Sequence, residues 1–274
     1  MTLDPLAESA KRGVPSLQRQ RDTSTGGLSG LPWWLIAILL VLVWGAYFIL
    51  TTADYRDAFD FIVQGISTTV QTTIYAFAIA LVIGLIMGLG RVSRNLVFRN
   101  FARFYVEVVR GIPILVLIFY VAFVASVDVA AALGMDARDI SSQARAVAAL
   151  AITYGAFLAE IFRAGIQSIG RGQMEAARSL GMSYGQAMRY IILPQAVRNV
   201  LPALGNDFIS MLKDSSLVSV LAVRDITQVA RLHAGSTFRF REAYTVLALL
   251  YLSMTLVLSS LVQWIERRLH VSQK

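Results

Sequence analysis

Residues 61–90 read FIVQGISTTVQTTIYAFAIALVIGLIMGLG and contain no charged residue. A helix needs about 20 apolar residues to cross a bilayer core of about 30 Å, so this stretch supplies a membrane span from about Val70 to Arg91. A second charge-free stretch, 33–51, reads WWLIAILLVLVWGAYFILT. Four more spans are predicted, at about 106–127, 145–165, 195–223 and 243–265. The sequence therefore predicts an all-α integral membrane protein with about six transmembrane helices.

The composition agrees with a membrane protein and excludes several other classes. Of 274 residues, 56% are apolar and only 15% are charged, whereas a soluble domain has about 25% charged residues. The chain has no cysteine, so it has no disulfide, thiolate metal site or cysteine nucleophile. Its net charge of +8 indicates basic loops and anionic lipid headgroups, and we predict no nucleic-acid partner.

The amino-terminal region differs from the rest of the chain. Residues 1–32 are rich in Ser, Gly, Arg and Gln, which predicts a polar tail on the cytoplasmic side. The span at 33–51 is longer than the roughly 7–15 apolar residues of a signal peptide, so we expect an uncleaved anchor. With the amino terminus in the cytoplasm, most of the 25 basic residues fall inside, which predicts that both termini are cytoplasmic.

One group of basic residues falls outside in this topology. The last outer loop contains four arginines: Arg224, Arg231, Arg239 and Arg241. They form either a solvated loop or a docking surface for a partner outside the cytoplasm.

The sequence gives little support to an enzyme, because the motifs of nucleotide binding and hydrolysis are missing or lack their structural context. The only lysines are Lys11, Lys213 and Lys274, and none of them completes a Walker loop. Residues 181–185 fit G-x-S-x-G, but a nucleophile elbow needs a strand before its serine, and residues 174–180 are typical of a helix. His233 and His270 lie far apart without metal-ligand spacing.

The polar segment 166–194 is the most patterned part of the chain. Residues 172–180 are mostly good helix formers, and Gly181 is placed to end that helix. Ser183 can cap a second helix from Tyr184 to Ile192, and Pro194 suits the start of a further helix. The segment is either an amphipathic hairpin lying on the membrane or a socket for a cytoplasmic partner.

The spacing within this segment resembles a known motif. Glu175-Ala176-Ala177, Gly181 and Ile191-Ile192-Leu193-Pro194 are similar to the EAA motif of permease subunits of binding-protein-dependent ATP-binding cassette (ABC) importers. Further similarity to polar amino acid permeases lies in Arg110-Gly111-Ile112-Pro113, Glu160-Ile161-Phe162-Arg163, Gly172-Gln173, Asn206-Asp207-Phe208, Lys213-Asp214-Ser215-Ser216-Leu217 and Glu242-Ala243-Tyr244-Thr245.

The resemblance implies a fold and a set of partners. It covers about residues 61–270 and implies the type I importer permease fold with five core spans, to which this chain adds residues 1–32 and the span at 33–51. The implied partners are ABC ATPase subunits, a second permease subunit, a periplasmic or extracellular amino-acid-binding protein and membrane lipid. We expect no cofactor on this chain, because ATP and magnesium would be held by the ATPase. The implied location is the bacterial cytoplasmic (inner) membrane.

Two sets of candidate residues follow from this resemblance. The predicted ATPase-coupling residues, centred on a coupling helix at 173–181, are Gln173, Glu175, Ala176, Ala177, Gly181 and Pro194. The candidates for the substrate path are Glu160, Asn206, Asp207, Ser210, Lys213, Asp214, Ser215 and Ser216. Polar residues within spans are costly and therefore indicate function.

Each substrate-path candidate also has a structural interpretation. Asn206, Ser210 and Lys213 form one helical stripe, and Asp207 and Asp214 overlap it. The lysine could bind the carboxylate of a zwitterionic amino acid, and the aspartates could bind its ammonium group. The same stripe could instead hydrogen-bond two subunits together. Glu160 lies three residues before Arg163, so a local ion pair explains it equally well.

Two other functions fit the hydropathy pattern. A secondary amino acid transporter or channel, not driven by ATP, has the same pattern of spans. A membrane-embedded enzyme is disfavoured because no catalytic group of residues is visible.

Overall fold

The computed structural model describes residues 33–268, which form helices and turns without a β-strand. The α-helices are α1 (Trp33–Thr51), α2 (Ala53–Ile62), α3 (Ile66–Val92), α4 (Leu96–Gly111), α5 (Ile114–Tyr120), α6 (Ser126–Ala132), α7 (Ser142–Gln167), α8 (Arg171–Ser179), α9 (Tyr184–Ala187), α10 (Leu193–Asp214), α11 (Ile226–Thr237) and α12 (Phe240–Arg268). The predicted polar tail, 1–32, lies outside the described residues.

The chain divides into two units by its contacts, Met1–Val41 and Leu42–Lys274. The described part of the first unit is the first half of α1, whose residues are apolar and mostly exposed. The second unit contains the other helices. Within it, Gly45 in the second half of α1 is buried against Leu249 of α12.

The predicted all-α membrane fold is confirmed. Between residues 33 and 268, five helical stretches are long and apolar enough to cross a membrane: Trp33–Thr51, Ala53–Val92, Ile114–Ala132, Ser142–Gln167 and Phe240–Arg268. Helix α10 has 22 residues, enough to span about 30 Å, but it is more polar than these five.

The predicted span at 106–127 begins too early, because the apolar helical stretch starts at Ile114. Proline has no backbone N–H and disfavours the helical conformation at the residue before it. Ile112 is accordingly extended (φ −106°, ψ 135°), and α5 begins after Pro113. Glu107 and Arg110 therefore belong to α4, a separate helix.

The prediction of one long span at 195–223 is also wrong. Helix α10 continues through Pro202 but ends at Asp214, and residues Ser215–Leu221 form a 3-10 helix. The Ser215 hydroxyl donates a hydrogen bond of 2.7 Å to the Leu212 carbonyl. Serine side chains can bond backbone groups in this way and so compete with the backbone hydrogen bonds of an α-helix. Helix α11 follows and was not predicted.

The centre of the second unit is the contact between α3 and α7. A Cβ atom at Gly84 would lie 2.6 Å from Cβ of Leu158, and one at Gly88 would lie 2.7 Å from Cβ of Phe162. The G-x-x-x-G pattern therefore allows close helix packing. Both helices end on the same side of the bundle, where α8 and α9 lie, and we call this side the hairpin end.

The opposite side, which we call the α11 end, holds a buried carboxyl group. Asp225 is fully buried, and its Oδ1 accepts a hydrogen bond of 2.9 Å from the Gln228 backbone N–H at the start of α11. Its Oδ2 has no hydrogen-bond partner among the described residues. Burial raises the pKa of this carboxyl from 3.8 to about 6.

We predict that Gly84→Ala destabilises the protein. The added methyl group meets Cβ of Leu158, which cannot move without its helix, and overpacking of this kind costs about 1–3 kcal/mol. Thermal unfolding of the purified chain in detergent should show a midpoint several degrees lower. The control is Gly235→Ala, where no atom lies within 4 Å of the added Cβ; equal midpoints for both variants would contradict the prediction.

Stability should depend on pH through Asp225. Because its pKa is higher in the folded state, the folded protein binds the proton more tightly, and the free energy of unfolding falls as pH rises from about 4 to about 6. Asp225→Asn keeps the cap at Oδ1 and removes the buried charge. Above pH 7 we expect the variant to be more stable by roughly 2–3 kcal/mol, with the gain shrinking towards pH 4. A constant difference across this range, measured by thermal unfolding, would contradict the assignment.

Candidate functional site

A helical hairpin joins α7 to α10 at the hairpin end. Helix α8 ends at Ser179 and is followed, after its C-cap Leu180, by Gly181. The φ of +83° at Gly181 is a left-handed conformation that glycine adopts without strain. The turn is closed by a 3.2 Å hydrogen bond from the Met182 N–H to the Ala177 carbonyl. Ser183 then starts α9 with a reciprocal capping box to Gln186. The predicted helix end at Gly181 and the predicted cap at Ser183 are confirmed.

The second helical segment of the hairpin, which begins with α9, continues into α10 without a loop. The second helix was predicted to reach Ile192, but its α-helical part ends at Ala187, and residues Met188–Ile192 form a π-helical turn. Pro194 lies in the first turn of α10, as predicted. Because π-turns within helices often mark functional sites, this junction supports a role for the hairpin.

An apolar cluster fixes the base of the hairpin. Ile166 of α7, Ile192 of the π-turn and Ala196 of α10 are all buried there, and Met174 and Met188 pack against them. The Asn199 amide also donates a hydrogen bond of 3.1 Å to the Ser168 hydroxyl. These contacts attach α8 and α9 to two long helices of the bundle.

The predicted coupling residues lie mostly on the surface of the hairpin. Those exposed to solvent are Gln173, Glu175, Ala176, Gly181 and Pro194. Ala177 is 4% exposed and faces the protein. Leu180, at the end of α8, is 83% exposed, which is unusual for a large apolar side chain. The surface is therefore open to a partner.

Glu160 lies in an ion-pair network rather than alone. Its carboxylate accepts two hydrogen bonds from Arg163, one of them 3.1 Å from Nε, and lies 3.2 Å from Nη1 of Arg91. The same Arg91 atom lies 3.9 Å from Glu107. Arg91 was not predicted, because no sequence spacing links the end of α3 to α7. This network explains Glu160 without a substrate.

The acidic end of α10 is connected to α7. The Tyr154 hydroxyl donates a hydrogen bond of 2.7 Å to Oδ2 of Asp214, and Tyr154 is only 3% exposed. Sequence reasoning missed Tyr154; its only signal was a hydroxyl group within an apolar span. Asp207, two turns before Asp214 on the same face of α10, is half-buried.

The remaining substrate-path candidates do not form one compact site. Asn206 and Lys213 are exposed, whereas Ser210 and Ser216 are half-buried. Ser215 is fully buried and is used by its bond to Leu212. Within the described chain, only Asp214 of the α10 candidates makes a side-chain hydrogen bond to another helix.

A family model matches residues 80–271 of this chain, and its description is "Binding-protein-dependent transport system inner membrane component". The chain belongs to this family. It is therefore a multi-pass inner-membrane component of a transport system, which agrees with its apolar helices.

Two curated relatives cover most of the chain. A probable glutamine ABC transporter permease protein (GlnM) of Bacillus subtilis (strain 168) is 39% identical over 216 residues, which are 79% of this chain and 96% of the relative. The glutamine transport system permease protein (GlnP) of Escherichia coli (strain K12) is 34% identical over 216 residues, or 78% of this chain and 95% of the relative.

Solved structures agree with this family fold. One chain, from a structure titled "Crystal structure of an amino acid ABC transporter with histidines", is 40% identical with a TM-score of 0.69, covering 80% of this chain and 98% of that one. An inward-facing MetNI methionine ABC transporter has a TM-score of 0.64 over 78% of this chain and 97% of its own, at 21% identity. At that identity it supports the fold alone.

Single-cysteine variants of this family member can test the exposure of α8. Because the chain has no cysteine, Ala176→Cys and Ala177→Cys each supply one reactive group on adjacent residues. We expect a maleimide reagent to label Ala176→Cys at least tenfold faster, because burial limits access to position 177. The measurement is the rate of mass increase in detergent-purified protein. Equal rates would contradict the placement of this helix.

Proposed function

We propose that this chain is the permease subunit of an ABC importer for polar amino acids and that α8 couples it to a separate ATPase. The observation that carries the proposal is the exposed helical hairpin with a fixed base. The named functions of the glutamine and amino acid relatives support the class of substrate.

The surface of α8 suits close contact with a partner. On the side opposite the buried Ala177, helical spacing places Gly172, Glu175 and Ser179. Ala176 lies beside them, and all four residues are exposed. Three of these residues are small and permit close approach of another chain, whereas Glu175 can pair with a basic group. An ATPase bound here would move the hairpin as a rigid body with α7 and α10.

The proposal also assigns an orientation and partners. The hairpin end faces the cytoplasm, both termini are cytoplasmic, and ATP and magnesium bind to the ATPase rather than to this chain. The binding protein would approach the α11 end, where Arg239 lies 2.9 Å from Asp54 and 3.5 Å from Asp57. A second permease subunit, identical or related, completes the path.

The substrate path in this proposal runs past Asp214. A carboxylate can bind the ammonium group of an amino acid, and the Tyr154 hydroxyl holds that carboxylate in one position. Lys213, exposed on the neighbouring position, can bind the substrate carboxylate. Glu160 is used in its ion pairs, so we assign it to holding α3 against α7 at the hairpin end.

Coupling is tested by Glu175→Lys and Gly181→Asp in the reconstituted complex of permease, ATPase and binding protein. Glu175→Lys reverses the charge at the contact, and Gly181→Asp strains a left-handed residue by about 1 kcal/mol or more. We expect each variant to lose most of the ATP hydrolysis stimulated by the loaded binding protein. Arg138→Gln, in the loop before α7, should keep it. Normal stimulation and transport in both hairpin variants would contradict the coupling role.

The role of Tyr154 is tested by Tyr154→Phe, which removes only the hydroxyl group. A hydrogen bond to a charged group contributes about 1.5–3 kcal/mol, so we expect at least a tenfold decrease in uptake of amino acid per ATP hydrolysed. Tyr75→Phe, at an exposed position of α3, is the control. If uptake is unchanged while subunit association weakens, the polar residues of α10 hold two subunits together instead.

The alternative of a secondary transporter or channel predicts a different source of energy. Vesicles containing the complete complex should take up substrate with ATP after the proton gradient is collapsed, and vesicles containing the permease alone should not. Uptake by the permease alone, driven by an ion gradient, would favour the alternative.

A further inference from the structure

A cavity of about 660 Å³ lies at the hairpin end, between the end of α3, the start of α4, the end of α7 and the hairpin. Its polar lining consists of Arg91, Ser93, Arg99, Arg103, Gln167 and Tyr184. No carboxylate is among the described residues that line it. The cavity therefore concentrates positive charge beside the hairpin.

The arginines of this cavity are not fully neutralised by the protein. Arg91 shares Glu160 with Arg163 and reaches Glu107 only at 3.9 Å. Arg99 and Arg103 have no ion pair with any residue between 33 and 268. Nε of Arg99 is buried without a hydrogen-bond partner, an arrangement that costs free energy unless an anion or water completes it.

The geometry of these groups favours a phosphate. A guanidinium group presents paired N–H donors that match phosphate oxygens. Arg99 and Arg103 are one turn apart on α4, so both can reach one phosphate group. On the hairpin side of the cavity, Tyr184 supplies a hydroxyl group that can donate to a phosphate oxygen. Cζ of Arg94 lies over the ring of Tyr184, 4.6 Å from the ring centroid.

The surroundings of the cavity favour a lipid over a free ion. The first turn of α4 exposes Leu96 and Val97, at 62% and 80%, and the next turns expose Phe101 and Phe104. Helical spacing places Arg99 and Arg103 on nearly the opposite face of α4, and a helix with one apolar and one basic face is typical of the membrane surface. The cavity also begins where the membrane-spanning α3 ends, which is the level of lipid headgroups.

We propose that this cavity binds the phosphate group of an anionic phospholipid at the membrane surface. The bound phosphate would connect Arg99 and Arg103 of α4 to the hairpin, because Gly170, Met174 and Tyr184 line the same cavity. Lipid at this site therefore stabilises the position of the hairpin. The proposal holds for any transported substrate.

The test uses the full-length chain, purified in detergent and titrated with phosphatidylglycerol or phosphatidylcholine while bound lipid is counted by native mass spectrometry. We expect phosphatidylglycerol to bind about tenfold more tightly, and the variant Arg99→Gln/Arg103→Gln to lose that preference. The charge-matched control is Arg138→Gln/Arg224→Gln, which removes two exposed arginines outside the cavity and should keep it.

Three results would overturn the proposal. The first is an unchanged preference for phosphatidylglycerol in the cavity variant. The second is displacement of the lipid by millimolar inorganic phosphate, which would identify a free-phosphate site. The third is complete loss of bound lipid when the ATPase is added, which would assign the cavity to a protein partner. If the double variant does not fold, Arg103→Gln alone, at an exposed position, should still weaken binding several-fold.

Discussion

The apolar contact among Ile166, Ile192 and Ala196 determines what the hairpin can do. Ile166 comes from the last turns of α7, and Ala196 comes from the first turns of α10, so the segment between them begins and ends at one buried cluster. Without this contact, residues 168–191 would be a long polar loop, and a force applied to α8 would only deform it. With the contact, displacement of α8 requires displacement of α7 and α10. The close packing of α3 on α7 extends this connection into the middle of the bundle.

Charge at the hairpin end has two separate roles. Glu160 is satisfied by Arg163 and Arg91, and it holds neighbouring helices in register. Arg99 and Arg103 have no carboxylate partner within residues 33–268. Both line the cavity beside the hairpin. Under the proposed coupling role, the end that receives force from the ATPase would also present a positively charged surface to membrane lipid. Both the ATPase and the lipid composition would then influence the same helices.

Much of the fold could be predicted from the sequence because its signals are local. Lack of charge over about 20 residues identified the spans, and the positions of Gly181, Ser183 and Pro194 identified the turns of the hairpin. The errors have physical causes. Pro113 separated α4 from α5, and the hydroxyl of Ser215 helped to end α10 before the predicted boundary. The π-turn at Met188–Ile192 has no signal in residue spacing.

The site was less predictable, because its important contacts join distant parts of the chain. The bond from Tyr154 to Asp214 spans 60 residues, and the pairing of Arg91 with Glu160 joins α3 to α7. Helical periodicity reveals which residues share one helix face but not which faces meet. The resemblance to the permease family supplied the proposed role of the hairpin, whereas the structure supplied its attachment to the bundle.

The central claim is that α8 and the helix bundle move as one body. The chain has no cysteine of its own, so spin labels can be placed at Ser179→Cys, at the hairpin end, and at Gly235→Cys, at the α11 end. Pulsed electron resonance then measures the distance between α8 and α11 in the complete transporter. We predict that this distance stays constant within about 2 Å between the nucleotide-free and ATP-bound states. A shift of about 5 Å, one turn of helix, would mean that the hairpin bends independently, and it would contradict this account.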